Sequence, residues 1–183
     1  MKHLTLFLTL TLGFSNLVSA QIFMSKNNEV SFFSKTPMED IQASNKIVSA
    51  VLNTQTLDVV VKMKMTQFEF PNKLMQEHFN ENYMESDKFP EGTFIGKIQE
   101  AINFSKDGNF PVNIKGNFTI HGVAKERILT GNLIIKKDLV QFSSDFEVAL
   151  VDHKIKIPKL VLMKIAEKIK VKTSFKLTPF VKK

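Results

Sequence analysis

Three histidines beyond the N-terminal segment, His78, His121 and His153, are the side chains best suited to move a proton or bind a metal. Their spacing argues against both roles, because none falls in an H-x-H or H-E-x-x-H arrangement. No metal and no cofactor is called for. Glu77, His78 and Glu81 share a helix surface if that segment is helical, with His78 and Glu81 at i, i+3, which makes half of a carboxylate-histidine motif. A half-motif alone reads as a surface polar cluster. His121, between Ile120 and Gly122 at a strand end, has two readings: a satisfied, partly buried polar side chain, or a hydrogen-bond partner for a bound ligand. The first needs nothing further and is preferred. Asp145 and Glu147 form an i, i+2 pair on the polar face of a strand, yet no aromatic platform for a sugar accompanies them. There is no G-x-S-x-G elbow and no cysteine. An enzyme using His121 or His78 with a carboxylate is therefore the alternative reading, and a non-enzyme the preferred one.

The charge balance is basic, formally +7, but Arg127 is the sole arginine. Base reading and phosphate forking lean on the guanidinium group, so a nucleic-acid partner is not expected. Lys168, Lys170, Lys172 and Lys176 alternate with Ile169, Val171, Thr173 and Phe175, the pattern of one solvated strand face. Docking of that lysine face on an anionic envelope surface is the competing view.

At the N-terminus, Lys2, the apolar run Leu4 to Phe14 and Val18-Ser19-Ala20 read as a secretory signal over residues 1–20, with the mature chain starting at Gln21. The apolar core is far shorter than the roughly 20 residues of a spanning helix, so no membrane span is expected after cleavage. Lack of cysteine excludes a lipid-modified cleavage site and disulfides. The rest, 21–183, suits one domain with a substantial core.

Residue patterns then say what could position these groups. Period-two alternation recurs over Val30 to Ser34, Lys46 to Leu52, Val59 to Thr66, Gly92 to Phe104, Val112 to Ala124, Arg127 to Ile135, Leu139 to Leu150 and Ile165 to Leu177, separated by turn signals. Ser105-Lys106-Asp107-Gly108 supplies hairpin chemistry, making the fourth and fifth segments neighbours. The inner face of Arg127 to Ile135 is ambiguous. One helix is expected over 72–82, begun near Pro71 and carrying Leu74, Met75, His78 and Phe79 on one stripe, where it could lid one end. The fold class is all-β, an antiparallel eight-stranded barrel with an interior able to hold one small ligand.

The segments Phe68-Glu69-Phe70, Met75, His78-Phe79, Tyr83-Met84-Glu85-Ser86, Lys88-Phe89-Pro90, Thr93-Phe94-Ile95-Gly96 and Gly116-Asn117-Phe118-Thr119-Ile120-His121-Gly122 together resemble the YceI-like family, over nearly the whole chain after about Met24. The resemblance implies an exported, lipocalin-like barrel whose hollow interior holds a long apolar lipid, a polyisoprenoid or fatty-acyl derivative. In a Gram-negative cell that places it in the periplasm or in the medium. It also changes how 17 phenylalanines, one tyrosine and no tryptophan are read: instead of simply filling a core, phenylalanine and methionine give a smooth, adaptable wall for hydrocarbon.

With each strand's more apolar face turned inward, the ligand-binding wall is Phe32, Val59, Val61, Met63, Met65, Phe94, Ile98, Phe118, Ile120, Phe142, Phe146, Ile169, Val171 and Phe175. His78, Phe79, Tyr83 and His121 are placed near the cavity mouth. The absent tryptophan, the stretch Asp152 to Pro158 and the lysine-rich terminal strands depart from the family pattern, and they bear on the head-group contacts. The sequons at Asn103 and Asn117 fall within or beside strands and are read as accidental. Self-association into a homodimer is left open.

Overall fold

Alternating apolar and polar residues can be satisfied in water only if one face of each strand is covered, and here the strands cover one another by closing into a ring. The computed structural model describes residues 21–158 and 165–180, so the leader expected over 1–20 lies outside the described residues. Eight strands, β1 (Ile22–Lys35), β2 (Asp40–Asn53), β3 (Asp58–Lys64), β4 (Glu91–Ile98), β5 (Gly108–Ile120), β6 (Val123–Lys136), β7 (Leu139–Ala149) and β8 (Lys168–Pro179), follow in sequence order. Each pairs antiparallel with the next, and β1 pairs with β8 to close the barrel. Among the described residues no helix is long and apolar enough to cross a membrane.

The first two strands run well beyond the stretches that alternation suggests, 14 residues each, because paired bulges interrupt their periodicity. Between Ser25 and Asn28, β1 gains a residue over β2, and between Val48 and Asn45, β2 gains one over β1. The inward parity therefore moves from Phe23 to Asn28, Val30 and Ser34 on β1, and from Ala43 and Asn45 to Val48, Ala50 and Leu52 on β2. Asn28 and Asn45 end up buried. Asn28 Nδ2 donates to the Val48 carbonyl at 3.0 Å while its Oδ1 accepts from Lys176 N at 2.8 Å. Asn45 Nδ2 donates to the Lys64 carbonyl at 3.0 Å and its Oδ1 accepts from Ile47 N at 2.9 Å. These side chains replace ladder bonds that the bulges remove.

Other boundaries differ from the periodic reading as well, β5 starting at Gly108 and β6 at Val123, each four residues earlier than expected. The strand expected to run to Phe104 stops at Ile98, because Glu100 turns back to accept from Asn113 N and Nδ2, both at 2.9 Å. Ile102 and Phe104 still pack on the core from the loop. The β5 strand ends at Ile120 instead of Ala124, since His121 and Gly122 take left-handed backbone conformations, φ 50° and 69°, and form the turn into β6. The last strand starts at Lys168, not Ile165. On β6, Leu129, Leu133 and Ile135 are buried while Ile128 is exposed, which resolves the ambiguous face.

The connection from β3 to β4 carries the only α-helix among the described residues, α1 (Lys73–His78). It is shorter than the expected 72–82: Asn72 caps it by accepting from Leu74 N and Met75 N, and Phe79–Tyr83 continue as a π-helical turn. The lysines of β8, Lys168, Lys170, Lys172 and Lys176, are exposed and alternate with buried Ile169, Val171, Phe175 and Leu177.

Candidate functional site

Side chains drawn from all eight strands leave a void instead of closing on each other. A cavity of about 420 Å³ sits at the α1 end of the barrel, and a second of about 60 Å³ lies deeper. Val30, Met63, Phe118 and Val171 border both. The larger volume is within the range of small-molecule sites, and its lining is mostly aliphatic, aromatic and methionine.

The residues assigned to the wall converge on these two spaces. Phe32, Met65, Ile120 and Ile169 line the larger; Val59, Val61, Phe94, Ile98, Phe142, Phe146 and Phe175 line the smaller; Met63, Phe118 and Val171 face both. Two glycine contacts give the wall its closeness. In register, Gly96 faces Gly116, and a Cβ on Gly116 would sit 2.4 Å from both Gly96 Cα and the Ile95 carbonyl oxygen. The two strands thus meet backbone to backbone beneath the Phe94 ring, which lies over Gly96.

At the mouth, His78, Phe79 and Tyr83 line the larger cavity together with Leu74, Met75 and Met84. The segment is held down by an aromatic cluster that periodicity does not reveal: the Phe79 ring centroid lies 5.6 Å from Phe32, 5.6 Å from Phe68 and 5.1 Å from Phe70. Phe68 and Phe70 stand in one of the segments that resemble the family, but they precede the helix outside any named strand, so no parity rule places them. Their neighbour Glu69 exchanges backbone hydrogen bonds with Ser44, which fastens this segment to β2. Burial raises the Tyr83 phenol above its ordinary 10.0, keeping it a neutral donor at the rim.

His121 borders neither cavity. Its Nδ1 lies 3.0 Å from the His153 carbonyl oxygen and its Nε2 3.0 Å from Glu85 Oε2, while its ring packs edge-on against Phe89. Glu85 also pairs with Lys88, and these two contacts hold its carboxyl below the usual range, Lys88 contributing most. His121 is therefore a strut joining three connections at the α1 end, placed apart from the mouth assigned to it. The His121–Glu85 couple is the nearest approach to an acid-base pair, but it lies away from the cavity lining. His78 lines the cavity, and among the described residues no carboxylate pairs with it. Among the described residues no group of three His, Cys, Asp or Glu side chains could hold a metal. Asp145 and Glu147 stand on the outer face of β7, opposite Lys172 and Lys170 of β8.

An up-and-down closed barrel with an apolar chamber opening beneath a helical lid belongs to the lipocalin-like class of single-cavity barrels. More narrowly, the YceI-like domain model matches residues 16–177, and the chain belongs to that family. Solved structures share the fold at low identity. A polyisoprenoid binding domain from Saccharophagus degradans, implicated in plant cell wall breakdown, superposes with a TM-score of 0.75 at 8% identity, covering 88% of this chain and 100% of that one. Burkholderia cenocepacia BcnA gives 0.68 at 14% identity, covering 82% and 96%. A Campylobacter jejuni YceI protein gives 0.58 at 16% identity, covering 100% of both. Among curated protein sequences none matches significantly.

Proposed function

We propose that this protein is an exported, non-enzymatic lipid-binding barrel that holds a long apolar ligand, polyisoprenoid or fatty-acyl in type, in its interior. The observation that carries the reading is the cavity of about 420 Å³ walled by phenylalanine, methionine, isoleucine and valine. Each methylene moved from water into such a space contributes ~0.8 kcal/mol, so a chain of many carbons binds tightly with few polar contacts. The S. degradans relative, whose name records polyisoprenoid binding, supports the ligand class. Export rests on the leader-like residues 1–20, and leads to the periplasm or the medium.

Native mass spectrometry and organic extraction of protein purified from its own host test this. A co-purifying isoprenoid or fatty-acyl species is the expected result. Repeated recovery of well-folded, empty protein that takes up no added hydrocarbon chain overturns it.

A further inference from the structure

The one arginine of the chain stands where a charge is hard to place. Arg127 shares the inward parity of Leu129, Leu133 and Ile135 on β6. Its guanidinium carbon lies 5.8 Å from the centroid of Phe118 and 5.2 Å from that of Phe146, two rings that line the cavities. The ladder between β6 and β7 runs only from Asn132 and Ser143 to Lys136 and Leu139, so at Arg127 strand β6 is paired with β5 through Gly116 but unpaired on its β7 side. The arginine spans that seam: Nη2 donates to the Glu147 carbonyl at 2.7 Å, whereas Nη1 is buried without a partner. None of the described carboxylates forms an ion pair with it, and Asp152 offsets its burial only from longer range. A guanidinium does not lose its proton in proteins, so burial leaves a fixed cation with spare donors one aromatic layer from the lumen.

We propose that Arg127 is the head-group contact of this barrel, receiving on Nη1 an anionic oxygen head, carboxylate or phosphate monoester, when the half-buried Phe146 ring swings aside. The proposal rests on the hydrocarbon reading above. The planar fork of donors matches both anions, and a charged acceptor binds it about twice as strongly as a neutral one. A neutral alcohol would leave the cation uncompensated.

The test is isothermal titration, at neutral pH and below micelle formation, of dodecanoate, dodecyl phosphate and dodecanol into the delipidated protein and its Arg127→Met and Arg127→Lys variants. Both anions are expected to bind the unmodified protein about tenfold or more tightly than the alcohol, the stronger of the two identifying the head. Arg127→Met should abolish that preference and keep dodecanol affinity within about twofold; Arg127→Lys should keep part of it. Equal affinity for all three, or a preference that survives Arg127→Met, overturns the assignment while leaving the hydrocarbon reading intact. Should Arg127→Met fail to fold, the unmodified protein and Arg127→Lys decide alone. Failure of all three ligands to bind sinks the cavity reading itself.

Discussion

His153 is 1% exposed, with Nδ1 donating to the Val123 carbonyl at 3.0 Å beneath the edge of Phe118. Burial, more than any other cause, lowers its pKa below the ordinary 6.5, and nearby Arg127 and Lys125 add to this. The unfolded chain therefore binds a proton that the folded one refuses. Stability is full above 6.5 and falls as pH drops toward the lower folded value. Denaturation midpoints measured across that window should decline for the unmodified protein and stay level for His153→Gln. The loss associated with Glu85, whose carboxyl is held below 4.5, comes only at more acidic pH, which separates the two groups. Gly116 supplies a test of another kind. Adding a methyl there meets two backbone atoms of β4 at 2.4 Å, and backbone cannot yield as a side chain can. Gly116→Ala should destabilise by about 3 kcal/mol in urea unfolding, at the upper end of overpacking costs.

Element boundaries show how local chemistry overrides a repeating pattern. The β1 and β2 bulges shift the inward face by one residue, and Asn28 and Asn45 then lie where alternation calls for apolar side chains. Reading outward from such a sequence recovers only the half of each strand on one side of the bulge, which is why Val30 to Ser34 and Lys46 to Leu52 were legible and Phe23 and Ala43 were not. Helix α1 is short, and its cap carries much of its definition: Asn72 Oδ1 accepts from Leu74 N at 2.9 Å. Asn72→Ala should cost about 1 kcal/mol locally. Hydrogen exchange over 73–83 should speed up while the β5–β6 and β7–β8 amides keep their protection, because the barrel closes without the helix. Uniform acceleration across all strands would show the helix to be integral to closure.

For the whole molecule, the chamber itself is the quantity to perturb. An occupant that binds only the folded barrel stabilises it by RT ln(1 + [L]/Kd), about 2.7 kcal/mol at a hundredfold excess over Kd. Extraction with organic solvent should therefore lower the melting temperature of protein purified from its own host, and adding back the extract should restore it. A melting temperature unchanged by extraction would mean the chamber had been empty. Alternation and turn residues determined the all-β class, the pairing of β4 with β5 and which parity of each regular strand turns inward, because side-chain direction in a strand follows from residue number. The tertiary structure alone decided which of those inward residues face a void. It also drew Phe68 and Phe70 onto the lid, moved His121 from the rim into a strut, and set Arg127 unpaired behind Phe118 and Phe146. Each of these depends on how far apart the closed strands stand and where their ladders lapse, distances that arise only when the ring is complete.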